Sequence, residues 1–236
     1  MNIPFLDLKK VYDWQKAEIN EAMLQVNESG IYILGEYVAQ FELEWSSYCQ
    51  SKYCVGLGNG YDALLVALKA LGIKAGDEVI VPAHTFIATW LAVSNLGATI
   101  VPVDIAKNGY NIDVDLIESS LTNNTKAIIM VHMYGNPCNI DKLKEVARKY
   151  NLPLIEDAAQ AHGAKYKGAP IGAHSDIVCW SFYPGKNLGA HGDAGAITTN
   201  NRDFYLKALE IRNYGSTKKY VHNSVGINSR MDPLQA

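Results

Sequence analysis

The sequence predicts an α/β protein built on one mainly parallel sheet with helices on both faces, and three features carry that expectation. From Tyr53 onward, short β-branched runs alternate with amphipathic helical segments. The 236 residues are 48% hydrophobic, enough to bury one large core or two modest ones. No repeat, low-complexity tract or Pro/Gly/Ser-rich linker divides the chain.

A helix is expected over about residues 11–28, closed by a turn at Ser29-Gly30. Residues 37–49 place Val38, Phe41, Trp45 and Tyr48 at helical spacing, as packing residues would be. Strand and helix then alternate: YCVGLG and YDALLVALKAL, EVIVPA and FIATWLAVSNL, ATIVPVDI, KAIIMVHMY and DKLKEVARKY, and PLIEDAA. DIVCWSF and GAITT read as further strands of the same sheet. Near the end, Asp232 and Pro233 form an N-cap and first-turn pair, so a helix is expected to begin there. One turn cannot sustain itself, so the sequence is expected to be a piece of a longer protein.

Lysine plus arginine number 21 against 24 for aspartate plus glutamate, a balance of −3 with no basic run, so no nucleic-acid partner is expected. No stretch approaches the roughly 18 consecutive apolar residues of a membrane span, and the N-terminal residues lack the pattern of a secretory leader. A cytoplasmic protein without membrane partners is the expectation. The cysteines at 49, 54, 138 and 179 form no CxxC pair and have no histidine at ligand spacing, which argues against a metal site or disulfide framework. Cys54 and Cys179 sit in apolar runs and read as inert core residues.

In open α/β sheets, reactive groups gather at the carboxyl ends of the strands, where loops face a common crevice. Four motifs occupy such positions. GLGNGYDALL (56–65) runs from a strand into a helix whose unpaired first N–H groups favour an anion, so it is either a phosphate cradle or simply a tight turn. It is not a nicotinamide fingerprint, because Tyr61 stands where GxGxxG requires glycine. HTFIATW (84–90) places Phe86 after a strand, either in the core or over a flat heterocycle. IEDAAQAHGA (155–164) puts Asp157 at a strand end, where its carboxylate either pairs with a cationic ring nitrogen or caps the following segment. Gln160 could then reach a neighbouring hydroxyl, while His162 reads as a packed structural group. SFYPGKNLGAHGDAGAI (181–197) holds Lys186 in a turn of glycines and a proline, the context of a Schiff-base nucleophile, with the Ser181 hydroxyl available to a phosphate.

Taken in order, Gly-Asn-Gly-Tyr (58–61), Thr-Phe (85–86), Glu-Asp-Ala-Ala-Gln (156–160) and Ser-Phe-Tyr-Pro-Gly-Lys (181–186) resemble the sugar-nucleotide aminotransferases of the DegT/DnrJ/StrS family. GINSRMDPLQA (226–236) is similar to that family's Gly-x-Asn-x-Arg…Gln-Ala signature. Ala194 departs from the pattern, standing where many relatives have glycine.

The resemblance implies that residues 1–236 form the large domain of a fold-type-I pyridoxal 5'-phosphate enzyme, with a small C-terminal domain lying beyond them. It further implies a homodimer with shared active sites. By position, Lys186 matches the Schiff-base lysine and Asp157 the partner of the pyridine nitrogen. Gln160 matches the residue near the ring hydroxyl, and Phe86 the aromatic over the ring. Asn59, Gly60, Tyr61 and Ser181 match the phosphate cradle, and Asn228 an asparagine that reaches the neighbouring subunit's phosphate. The stretches PFLDLKKVY, SGIYILGEYVAQFE and KKYVHNSVGINSRMD are most similar to the branch that acts on dTDP-3-oxo-6-deoxyhexoses with L-glutamate as amino donor. Alternatives are an aminotransferase for 4-oxo nucleotide sugars and a non-catalytic cofactor- or nucleotide-sugar-binding protein. A sugar dehydratase on the same fold would carry histidine at the position of Lys186, and a nicotinamide dehydrogenase is disfavoured by the failed fingerprint.

Overall fold

A computed structural model describes residues 3–236. Helix α1 (Leu8–Ser29) begins at Asp7, whose Oδ1 accepts from the Lys10 N–H, and buries only Val26. Helix α2 (Glu36–Tyr48) buries Val38 and Trp45, whereas Tyr48 is exposed and stacks on Trp45 from outside. The alternating region follows as β1 (Tyr53–Leu57), α3 (Gly60–Ala70), β2 (Glu78–Pro82), α4 (Ile87–Ser94), β3 (Thr99–Val103), α5 (Ile117–Ser120), β4 (Thr125–Val131), α6 (Ile140–Lys149) and β5 (Leu154–Asp157). A small hairpin, β6 (Lys165–Tyr166) and β7 (Ala169–Pro170), precedes β8 (Ile177–Ser181), β9 (Gly195–Thr199) and α7 (Arg202–Arg212). A second hairpin, β10 (Ser216–Lys218) with β11 (Val221–His222), lies beyond α7.

Seven strands form one sheet in the order β1-β9-β8-β5-β4-β2-β3. The pairs from β3 to β8 are parallel, and β9 is antiparallel to both its neighbours. Because side chains alternate across a strand, each strand feeds two cores. Val79, Val81, Ile129, Cys179 and Ile197 point to one face and pack with α3, α4 and α7. Ile80, Ile128, Met130, Val178 and Trp180 point to the other and pack with α2 and α6. All four cysteines are free and buried, and burial pushes the Cys54 and Cys179 thiols well up, as inert core residues require.

The free edge of β1 is tied down by side chains. At Gly56 the N–H donates to Glu42 Oε1 at 2.7 Å and the carbonyl accepts from Arg212 at 2.7 Å. Arg212 and Glu42 themselves meet at 2.5 Å, so both unpaired backbone groups of that residue are satisfied.

Three features add to the sequence reading. The GAITT strand joins the same sheet, as expected, and runs antiparallel to both of its neighbours, β8 and β1. Helix α7 was not expected, although Asn201 caps it and Phe204, Ala208 and Ile211 form its buried stripe. At Asp232-Pro233 the chain makes a turn, in which the Asp232 carbonyl accepts from the Gln235 and Ala236 N–H groups, the second at the i→i+4 spacing of a helical turn. Among the described residues, no helix is long and apolar enough to cross a membrane.

Candidate active site

The parallel strands end at a cleft of about 570 Å³ whose walls include Asn59, Gly60, Tyr61, Phe86, Asp157, Gln160, Ser181 and Lys186. That is the size range of a small-ligand site. A slightly larger cleft of about 650 Å³ opens among Lys144, Arg148, His174 and Lys207, but it lies at the opposite ends of the strands and holds none of these residues. The carboxyl-end cleft is therefore the candidate site.

The phosphate-like corner is made by crowding. A Cβ on Gly60 would lie 2.4 Å from Ser181 Cβ, and one on Gly195 would lie 2.2 Å from the Asn59 carbonyl oxygen. Only glycine lets the start of α3 press against the end of β8 and the start of β9. The Asn59 side chain caps α3, with Oδ1 accepting from the Asp62 N–H at 2.8 Å and Nδ2 donating to the Asp62 carboxylate at 3.1 Å. The N–H groups of Gly60 and Tyr61 have no acceptor among the described residues, and the Ser181 hydroxyl stands beside them. Unpaired first-turn N–H groups with a neighbouring hydroxyl fit an oxyanion. The Tyr61 hydroxyl is occupied, accepting from Asn95 Nδ2 at 2.8 Å.

Asp157 closes β5 and is buried, yet its carboxylate faces the cleft. Oδ2 accepts from Thr89 Oγ1 at 2.8 Å, and Oδ1 from the Ala159 N–H at 3.1 Å. The Thr89 proton is thereby committed, so in the 2.8 Å contact between the two threonine hydroxyls Thr85 is the donor. Burial raises the Asp157 carboxyl above its usual range, while Thr89, the Ala159 N–H and the Lys186 charge pull it back. The capping role weighed from sequence exists, through Ala159, and it coexists with the cleft-facing one.

Lys186 sits in the turn after β8, where its N–H bonds the Tyr183 carbonyl at 2.8 Å. Burial lowers the pKa of its ammonium, and the Asp157 carboxylate partly opposes that shift. A lysine with a depressed pKa is a better nucleophile toward a carbonyl carbon. Phe86 occupies the N-cap position of α4 and is 69% exposed, so it is not a core residue. Its ring stands free at the cleft wall. Gln160 Oε1 accepts from the Tyr134 N–H at 2.6 Å.

The buried carboxylate, the partly buried amine, an exposed aromatic face and an oxyanion corner together fit pyridoxal 5'-phosphate, which has a basic ring nitrogen, an aldehyde, a flat ring and a phosphate. Asn228 is not among the cleft residues; it is exposed and forms a β-bridge with Asn213. His162 packs among Trp45, Trp180 and Phe182, as expected of a structural histidine. The sequence reading missed Thr89, although HTFIATW already places its hydroxyl one helical turn after Thr85, the residue just ahead of the α4 N-cap. It also missed the buried contact of His132 with Glu156, for which no local pattern gives a signal.

The chain is 52% identical over 234 residues to a dTDP-3-amino-3,6-dideoxy-alpha-D-galactopyranose transaminase of Aneurinibacillus thermoaerophilus, covering 99% of this chain and 64% of that one. Its fold matches Streptomyces venezuelae DesV, solved in complex with a ketimine intermediate, with a TM-score of 0.97 at 48% identity, covering 99% of this chain and 63% of that one. It also matches NtdA from Bacillus subtilis, solved with bound cofactor PMP, with a TM-score of 0.93 at 36% identity, covering 99% and 54% of the two chains. The chain thus spans less than two thirds of the length of these relatives. Five motifs in order, a cleft that gathers eight of the nine site residues read from them and a family model matching residues 13–236 agree: the chain belongs to the DegT/DnrJ/EryC1/StrS aminotransferase family.

Proposed function

We propose that this chain is the cofactor-binding large domain of a pyridoxal 5'-phosphate-dependent sugar-nucleotide aminotransferase. The observation that carries the reading is the shared cleft of Lys186 and Asp157, a nucleophilic amine with a lowered pKa and a buried carboxylate held by Thr89. Lys186 Nζ would hold the cofactor through its aldehyde, and the bound cofactor would supply the electron sink that lets the amino-bearing carbon lose a proton. Asp157 holds a proton on the ring nitrogen, and Thr89 fixes the carboxylate that does so. Lys186 Nζ, whose pKa burial lowers, would move the proton at the substrate carbon as general base and then acid. The Gly60 and Tyr61 N–H groups and Ser181 bind the phosphate, and Phe86 covers the ring.

The substrate is a dTDP-3-oxo-6-deoxyhexose, converted to the dTDP-3-amino-3,6-dideoxyhexose with L-glutamate as donor. Supporting this is the transaminase of A. thermoaerophilus, whose name carries that product class. The active unit is a cytoplasmic homodimer with shared sites. Supporting this, the apolar side chains of Ile87 and Leu91 are exposed on α4 beside the cleft, and Asn228 lies outside its own cleft.

With pyridoxal phosphate added, a visible absorbance band removable by borohydride is expected in the wild type and absent in Lys186→Ala. A band that persists without Lys186 sinks the reading. Turnover of dTDP-linked 3-oxo and 4-oxo sugars with glutamate tests the substrate, and exclusive use of the 4-oxo sugar refutes the 3-position.

A further inference from the structure

The Tyr134 N–H fixes the orientation of the Gln160 amide. A backbone N–H requires an acceptor, so the atom it meets at 2.6 Å is the amide oxygen, and Nε2 is left as a donor with no acceptor among the described residues. Tyr134 delivers that N–H from an unusual backbone, φ 56 and ψ 24, in the left-handed region that side-chain-bearing residues seldom adopt.

The turn is rooted in His132. Its N–H donates to the Asp157 carbonyl at 3.1 Å, and its carbonyl accepts from the Gly135 N–H at 3.1 Å. Its ring is fully buried, and Nδ1 accepts from the Cys138 N–H at 3.1 Å, which assigns the proton to Nε2. Nε2–H then donates to Glu156 Oε2 at 2.9 Å, and Glu156 is fully buried too. A buried polar pair of this kind adds little stability over a well-packed apolar pair, but two directional bonds to one ring fix its position. The ring clamps both ends of the turn, from Cys138 on one side to β5 on the other.

We infer that the His132–Glu156 pair is a positioning device: it holds the 132–138 turn so that Gln160 presents its NH₂ group to the ring-hydroxyl oxygen of the cofactor. The last clause rests on the cofactor reading above; the hold on Tyr134 and Gln160 does not. Neither His132 nor Glu156 touches the cleft, so both act through Gln160.

Amide hydrogen exchange of the cofactor-free chain tests the hold. Glu156→Ala and His132→Ala are expected to speed exchange at the Tyr134 amide by at least about tenfold relative to the Ala159 amide. Glu156→Gln keeps an acceptor for Nε2–H and should stay within about twofold of wild type. Should His132→Ala fail to fold, the two Glu156 variants decide by themselves. Unchanged Tyr134 exchange in Glu156→Ala, or equal disruption by Glu156→Gln, overturns the proposal. With pyridoxal phosphate added, Gln160→Ala and Glu156→Ala should shift the pH midpoint of the visible band in one direction, and the double variant no further than Gln160→Ala alone. A wild type with no Lys186-dependent band defeats the cofactor reading while the exchange result stands; a band that Gln160→Ala leaves unmoved defeats the ring-hydroxyl clause alone.

Discussion

Thr89 donates its hydroxyl proton to Asp157 at 2.8 Å, joining α4 to the end of β5 across 68 positions of sequence. A buried carboxylate with two hydrogen bonds depends heavily on each. Thr89→Val keeps the volume and leaves only the Ala159 N–H. At neutral pH this should destabilise the fold by about 2 kcal/mol, within the range for leaving a buried charged group short of a partner. The deficit should shrink on acidification as the carboxyl protonates. Urea denaturation at both pH values reads it; a deficit that does not depend on pH refutes the assignment to Asp157.

Gly60→Ala should damage the phosphate corner specifically. The new Cβ meets Ser181 Cβ at 2.4 Å, so either α3 or β8 must move, at a cost of about 1–3 kcal/mol. Pyridoxal phosphate retention, measured by equilibrium dialysis, should fall with it. Gly109→Ala, whose Cβ meets nothing nearer than Ala106 Cβ at 4.0 Å, is the control and should be neutral within about 0.5 kcal/mol.

Arg212→Met strands the Glu42 carboxylate and the Gly56 carbonyl together. Both side chains are mostly buried, so a loss of about 3 kcal/mol is expected, the lower end for breaking a buried pair. Glu42→Leu combined with Arg212→Met should recover part of it in thermal or chemical denaturation. No recovery would mean that the edge of β1, and not the ion pair, carries the energy.

His162 gives the chain an acid sensitivity with a definite sign. Burial first, and the Lys186 charge second, push its pKa down from 6.5 to about 4. The unfolded chain therefore takes up a proton that the folded chain refuses as pH falls from about 6.5 to about 4, and stability drops through that window. One proton corresponds to a slope of about 1 kcal/mol per pH unit. His162→Phe should flatten that part of the profile, whatever it does to stability at pH 7. Denaturation midpoints between pH 4 and 7 for the two proteins decide it.

Local chemistry made much of the fold legible. The strand and helix pattern from Tyr53 to Asp157 read directly, because inner strands such as β2 and β4 bury both faces as continuous apolar runs, whereas α6 buries a single stripe of Ile140, Leu143 and Ala147. Lys186 and Asp157 stood out because they follow apolar runs, where an open α/β sheet gathers its loops. The reading of Phe86 stayed open, since a phenylalanine at a helix start is core or exposed according to what packs above it.

What the sequence by itself determined is the alternating strands and helices from Tyr53 to Asp157, the family and the loops that face one another. Tertiary structure decided which groups meet. The direction of β9 depends on a reversal after Lys186, the hydroxyl that holds Asp157 comes from a helix on another loop, and the His132–Glu156 contact joins two strands that pair only in the folded sheet. Hydrogen bonds between distant positions carry no periodicity, so only the packed sheet, which sets strand order and register, brings their donors and acceptors within reach.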